Sequence, residues 1–172
     1  MIRQQRHLLV LIGVLTVAVG LLAWANMRRL PPAGGVPTLT LKTADGGIAT
    51  ATLDEIREMG AEAFEATLRT TSAPPATYTY TGVPLSRIIR RVIGEEALAE
   101  AYQVVARAAD GYAVAFSVAD VLAADNLHVV FERDGRPLPP RESGGPGPMQ
   151  LVVRRDGFGQ RWCKYLAEVE IQ

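Results

Sequence analysis

The chain has 172 residues, which is long enough for one domain with a hydrophobic core. Its 18 basic and 18 acidic residues cancel, but four arginines lie in the acid-free first 30 residues, leaving 14 basic against 18 acidic residues beyond them. This excess of acid argues against a nucleic-acid-binding protein, which would present a basic face. The single cysteine excludes an intramolecular disulfide and a zinc site built from cysteines.

An apolar segment near the start of the chain predicts a membrane helix. Residues 8–25 carry no charge and are about as long as the minimum bilayer span. We predict that residues 1–29 form an uncleaved signal anchor in a bacterial cytoplasmic membrane, with the rest of the chain on the extracytoplasmic, periplasmic side. The alternative is secretion after cleavage at Ala25, which ends a small-x-small pattern. Residues 30–37, LPPAGGVP, are predicted to be a short stiff linker.

The predicted domain, residues 38–172, begins with a hairpin. TLTLK alternates over residues 38–42, and the Asp45-Gly46 turn that follows leads into a second strand. Residues 52–55, TLDE, form a capping box, which predicts a helix that continues to about Ala66.

The middle of the chain predicts a loop, a strand and the clearest helix. RTTSAPPA at residues 69–76 has the composition of a loop, and YTYTG after it predicts a strand. A helix starts at Pro84 and ends at Gly94. Its apolar residues fall at i, i+3, i+4, i+7 and i+8, as expected for one buried face: Leu85, Ile88, Ile89, Val92 and Ile93.

The last third of the chain predicts mostly strands. YQVVARA and YAVAFS form a second hairpin around Asp110-Gly111, and Ser117 caps a short helix. Further strands are predicted at residues 127–133, 149–155 and 166–172, while residues 139–148 are a loop without regular structure. About eight short strands and three helices, without strict alternation, indicate the α+β class with a single mixed sheet.

Five segments in this order resemble the molybdopterin-binding domain of the sulfite oxidase family. They read TGVPLSRII, DGY, VVFERDGRPLPP, GGPGPMQLVV and GFGQRWCKYLAEVEI, and they span residues 81–171. The resemblance implies a mixed α+β fold around a curved sheet. It also implies a molybdenum–pterin cofactor used for oxygen-atom transfer or a related reduction.

The residues expected to hold the metal in that family are missing here. The family binds molybdenum through a cysteine in the loop just before the GVPL segment, and this loop has no cysteine in the present chain. Thr70 and Thr71 lie near the expected place, but a neutral hydroxyl is a poor ligand where a soft thiolate is needed. An arginine of the family falls at Gln150, which has no charge to offer an anion. We therefore predict no protein ligand to a metal.

The closing part of the domain keeps more of the family pattern. Phe158, Gly159, Arg161 and Lys164 match a segment that lies close to the pterin phosphate in the family. The resemblance implies that these four residues bind a cofactor or another anion, with Arg161 and Lys164 as the cations.

Three kinds of side chain admit both a structural and a functional interpretation. Cys163 is predicted to be a packed core residue, although the neighbouring cations would lower the pKa of an exposed thiol and suit it to redox chemistry. His128 lies in a predicted strand and is given a structural role. The aromatic residues Tyr78, Tyr80 and Tyr112 are interpreted as packing, with lining of a ligand pocket as the alternative.

Three hypotheses for function follow. The first is a non-catalytic member of the family, anchored to the membrane through residues 8–25, which binds a small anionic ligand or a protein partner. The second is a molybdopterin-dependent oxidoreductase, or a subunit of one, in the bacterial envelope. The third is an accessory component that docks onto a membrane complex, although the chain has no ligand set for haem or an iron–sulfur cluster.

Overall fold

The computed structural model describes Leu15, residues 17–19 and residues 35–172. The predicted membrane helix, the cleavage point after Ala25 and most of the predicted linker therefore lie outside the described residues. In the part of the chain that is described, no helix has the length and apolar character needed to cross a bilayer. The compact unit covers Val36–Gln172.

Ten strands and four helices make up the compact unit as described. The strands are β1 (Thr38–Thr43), β2 (Ile48–Thr52), β3 (Glu62–Leu68), β4 (Ala76–Pro84), β5 (Gln103–Ala108), β6 (Ala113–Ser117), β7 (Leu127–Arg133), β8 (Arg136–Pro137), β9 (Gln150–Val153) and β10 (Leu166–Ile171). The helices are α1 (Leu53–Glu58), α2 (Leu85–Val92), α3 (Glu96–Ala99) and α4 (Val118–Leu122). Two 3-10 turns lie at Arg141–Ser143 and Gly159–Arg161.

The strands form two sheets rather than the single sheet predicted. The first sheet has the order β2-β1-β10-β5-β6, and its β1–β10 pair is parallel whereas its other pairs are antiparallel. In the second sheet the order is β3-β4-β7-β8, and β9 also pairs with β7. One hydrophobic cluster contains residues from both sheets, among them Leu41, Val129 and Val169, all without solvent exposure. The α+β class and the mixed sheet are confirmed.

Both predicted hairpins and the cap of α1 are confirmed. β1 pairs with β2 around the Asp45 turn, and β5 pairs with β6 around the Asp110 turn. The Thr52 hydroxyl accepts a hydrogen bond from the Glu55 amide, and the Glu55 carboxylate accepts one from the Thr52 amide at 2.7 Å. This reciprocal pair satisfies two donors that the first turn of a helix leaves free.

The predicted length of α1 is wrong. The helix ends at Glu58, and Gly60 has φ +88°, a left-handed conformation that glycine adopts without steric cost. The following residues, EAFEATL, form β3 and pair antiparallel with β4 from Glu62 to Leu68. Phe64 and Ala66 are buried while their neighbours Ala63 and Glu65 are exposed, and this alternation is typical of a strand with one face on the core.

Helix α2 matches its prediction, since it runs from Leu85 to Val92 and Gly94 after it has φ +131°. The cap of α4 is also confirmed, because the Ser117 hydroxyl accepts a hydrogen bond from the Asp120 amide at 3.1 Å. The loop at residues 139–148 contains the turn Arg141–Ser143 and an isolated bridge between Pro140 and Gly147, which corrects the prediction that it has no regular structure.

Candidate functional site

The predicted site lies in residues 154–165, here called the closing segment, which joins β9 to β10. Trp162 anchors it, because its indole N–H donates to the Val153 carbonyl at 3.0 Å and its ring meets Tyr80 edge-on at 5.8 Å. Cys163 forms a pair of backbone hydrogen bonds with Leu151, at 2.8 and 3.1 Å. The segment is therefore fixed to the second sheet through both a side chain and the backbone.

The closing segment contacts the loop that precedes β4, which is where the sulfite oxidase family carries its metal ligand. The Gly159 amide donates to the Arg69 carbonyl at 2.9 Å. A Cβ added at Gly159 would overlap Leu68 Cδ1, the end of a flexible side chain, whereas the Arg69 carbonyl leaves it room. The fold thus brings together the segment matched to the metal ligand of the family and the segment matched to its pterin phosphate site, although they lie about 90 residues apart in the sequence.

The donor groups at this contact do not fit a molybdenum centre. The Thr70 hydroxyl already accepts a hydrogen bond from the Ala73 amide at 3.2 Å, which caps a turn of the loop. Among residues 35–172 and the few described before them, no group of three His, Cys, Asp or Glu side chains is placed to hold a metal ion. A soft thiolate is the ligand that this metal centre calls for, and neither threonine nor a carboxylate replaces it.

Cys163 does not supply that thiolate. Its side chain has no solvent exposure, and its sulfur lies 3.7 Å from the Lys164 carbonyl oxygen. Burial, helped by the negative charge of Asp110, raises the pKa of Cys163 to about 12. The thiol is therefore neutral near pH 7, and the core-packing interpretation agrees with its surroundings. Arg161 and Lys164 do not lower its pKa as the redox alternative required.

Arg161 is engaged within the fold. Its Nε donates to Asp156 at 2.8 Å, a second nitrogen contacts the other oxygen of Asp156, and a third lies 3.4 Å from Asp120. The hydrogen bond to Asp156 is the main cause of the raised pKa of Arg161. The guanidinium also lies over the Phe116 ring at 5.2 Å. The two carboxylates of Asp156 and Asp120 face the single guanidinium of Arg161, so this cluster has a net negative charge. The contacts of Arg161 with Asp120 and Phe116 attach the closing segment to α4 and β6.

Lys164 and Phe158 differ from Arg161 in facing solvent. Lys164 is exposed, and among the described residues its ammonium makes no ion pair. Phe158 leaves 51% of its surface exposed, which is uncommon for a phenylalanine. The four predicted binding residues thus have three different roles: Gly159 is half-buried and contacts Arg69, Arg161 forms a structural ion pair, and Lys164 and Phe158 are exposed.

The other residues singled out in the sequence have packing roles in this structure. Gln150 is 4% exposed and uncharged. Tyr80 is buried, Tyr78 lies under the Arg133 guanidinium at 4.7 Å, and the Tyr112 hydroxyl donates to the Gln160 carbonyl of the closing segment.

Sequence reasoning missed Asp156 and Asp120, the partners of Arg161. Asp156 lies only five residues before Arg161, so that pair could have been anticipated from its proximity within one loop. Asp120 is 41 residues away on another element and gave no signal.

Comparison with known proteins supports the fold and the family resemblance. Residues 38–172 match the family model described as oxidoreductase molybdopterin binding domain. The crystal structure of the sulfane dehydrogenase SoxCD from Paracoccus pantotrophus is similar, with a TM-score of 0.64 and 17% sequence identity. That match covers 78% of this chain and 38% of the SoxCD chain, and at this identity it shows the fold alone. The comparison with curated proteins gives no match.

Proposed function

We propose, from the premise that the chain belongs to the oxidoreductase molybdopterin binding domain family, that it is a non-catalytic binding domain of that family. One observation carries the proposal: the only thiol of the chain is fully buried, with a pKa of about 12. The loop before the GVPL segment offers hydroxyls in its place, and that of Thr70 is used within its own turn. A member with this donor set has no thiolate for the metal.

The surface of the closing segment is the proposed binding site. Lys164 offers a solvated cation without a carboxylate partner among the described residues, and Phe158 offers an exposed ring. An anionic group, carboxylate or phosphate, on a small ligand or on a protein partner suits the Lys164 cation. Arg161 contributes indirectly in this proposal, since its bonds to Asp156 fix the segment in place.

A titration tests this site. Inorganic phosphate and a short polyglutamate peptide are added separately to the isotope-labelled protein, and amide shifts of residues 156–165 are followed. We expect saturable shifts that Lys164→Met removes. Lys42→Met is the matched control, because Lys42 is the only other lysine and is paired with Glu168 at 2.6 Å. Equal responses in both variants, or no saturation with either probe, would refute the proposal.

A second candidate is a molybdopterin-dependent oxidoreductase, or a subunit of one, whose thiolate comes from outside this chain. The observation that favours it is the contact between Gly159 and Arg69, which joins the two segments that the family places around its cofactor. This candidate predicts molybdenum in the purified protein and its loss in Arg161→Ala or Lys164→Ala. The accessory-component hypothesis instead predicts co-purification with integral membrane proteins even when phosphate saturates the site.

The proposed location is the bacterial cytoplasmic membrane, with the domain on the extracytoplasmic side. The uncharged run of residues 8–25 supports this proposal. Resistance of the full chain to carbonate extraction, with the domain accessible to protease from the periplasm, is the expected result. An N-terminus that starts after Ala25 would instead establish secretion.

A further inference from the structure

His128 occupies an unusual position for a histidine. It lies on β7 with no solvent exposure, and its Nε2 is 3.1 Å from the Glu62 carboxylate on the edge strand β3, which is separated from β7 by β4. Its Nδ1 has no hydrogen-bond partner within the part of the chain that the structure describes. Buried polar atoms are nearly always paired, so an unpaired ring nitrogen calls for a physical explanation.

The groups around His128 come from four elements. From β3 the Phe64 ring lies 4.3 Å from the imidazole, and the Arg154 guanidinium lies over that phenyl ring at 4.7 Å. The register partners on β4 and β9 are Pro84 and Val152, which carry no charge. The charged groups that face the imidazole are therefore the Glu62 carboxylate and the Arg154 guanidinium.

This environment favours the neutral imidazole. When Nε2–H donates to Glu62, Nδ1 carries no proton and needs no hydrogen-bond acceptor. A second proton, on Nδ1, would require an acceptor. The Asn126 backbone carbonyl, which accepts a hydrogen bond from the Arg154 amide at 2.9 Å, favours the protonated ring, but it is the smallest of the influences on His128. Burial is the main cause that lowers the pKa of His128, and the charge of Arg154 adds to it. The hydrogen bond and charge of Glu62, with a small contribution from the Asn126 backbone, oppose this only in part.

The cluster touches both chain segments that lead to the candidate site. Strand β3 begins at Glu62 and ends at Leu68, directly before the Arg69 carbonyl that binds Gly159. Arg154 is the first residue of the closing segment. A change at His128 would therefore affect the start of β3, through Glu62, and the start of the closing segment, through Arg154. These two segments meet again at the contact between Arg69 and Gly159.

We propose that His128 is an acid-sensitive switch between these segments. As a neutral imidazole it links β7 to β3 across β4, through its contacts with Glu62 and Phe64, and so adds to the pairing of β3 with β4. On protonation, the buried charge beside Arg154 releases β3, and the contact between Arg69 and Gly159 opens. This inference does not depend on what the candidate site binds.

The direction of the pH effect follows from the lowered pKa. An opened β3 exposes His128, whose pKa then returns to about 6.5. As pH falls below about 6.5, His128 is protonated in the open form but stays neutral in the closed form. The opening constant then rises by up to about tenfold per pH unit, until the pH reaches the pKa of the closed form. Above about pH 7 no change is expected.

Hydrogen exchange of the full chain tests the switch. Amide protection is compared at about pH 7.5 and about pH 5.5, which bracket the ordinary imidazole pKa, after correction for intrinsic exchange. We expect residues 62–69 to lose up to about tenfold in protection at the lower pH, while the first sheet keeps its protection. His128→Gln should abolish the loss, and His7→Gln, which changes the only other histidine, should retain it.

An equal loss in His128→Gln, no loss in the wild type, or an equal loss throughout both sheets would overturn the proposal. A titration of the two imidazoles by NMR covers the case in which His128→Gln does not fold. We expect the His128 pKa to lie below its ordinary value of about 6.5, and Glu62→Gln to lower it further, because Glu62 raises it in the wild type. A His128 pKa at or above its ordinary value would also overturn the proposal.

Discussion

Alkylation of Cys163 gives a quantitative test of the claim that this thiol is not a metal ligand. Its pKa is about 12 against an ordinary value of 9.0, so the thiolate fraction near pH 8 is lower by a factor of about 1000. Only the thiolate reacts rapidly with iodoacetamide, and the sulfur also has no solvent exposure. We therefore expect the folded protein to react at least about 1000 times more slowly than the unfolded chain.

The assay follows the intact mass over time, with and without denaturant. The chain has one cysteine, so each mass increase reports this site alone, and the denatured chain is the internal control. Labelling of the native protein within about tenfold of the unfolded rate would show that the thiol is accessible and ionised. The non-catalytic proposal would then lose its main support.

Three further predictions concern stability, each measured by urea denaturation. Gly82→Ala should cost about 3 kcal/mol or more, because the new Cβ would lie 2.5 Å from a backbone carbonyl oxygen of β7; a cost below about 1 kcal/mol would contradict this. Gly159→Ala should cost only about 1 kcal/mol, because the end of the Leu68 side chain can rotate away. Leu68→Ala in the same background should remove that cost, and strict additivity of the two changes would show that they do not clash. Arg161→Met should cost about 1 kcal/mol after solvent screening, since it leaves the Asp156 carboxylate, 15% exposed, without its guanidinium. Adding Asp156→Asn should recover part of this cost, and a larger loss in the double variant would refute the ion-pair account.

Elements set by local patterns were predictable from the sequence. The apolar stripe of α2 appears at helical spacing within one segment, and Gly94 marks its end. The hairpin of β1 and β2 follows from its Asp45-Gly46 turn. In both cases the deciding residues lie within a few positions of each other.

The error at α1 shows where local patterns fail. The capping box at Thr52 fixes where the helix starts, and Gly60 marks its end, but the sequence analysis placed Gly60 on the apolar face of a longer helix. The apolar residues from Leu53 to Phe64 suit one helical face, while EAFEATL also alternates as a strand does. Pairing of β3 with β4 over Glu62–Leu68 selects the strand, and this pairing is a tertiary effect.

The chemistry of the site depended on contacts that sequence order hides. The resemblance assigned Arg161 to an anion, but its partner Asp120 lies 41 residues away and cannot be identified by spacing. The structural role predicted for His128 agrees with its burial. Its partner Glu62 lies 66 residues away and cannot be identified by spacing either. The missing thiolate, by contrast, was evident from the sequence, because an absent cysteine needs no structure to detect.

The most direct test of the account is the molybdenum and pterin content of the full chain purified from its own organism. Elemental analysis measures the metal and fluorescence measures the pterin, with a sulfite-oxidase-type enzyme of known loading as the control. The account predicts neither molybdenum nor pterin in a folded sample when the control is loaded. Close to one molybdenum per chain would contradict it and establish the oxidoreductase candidate.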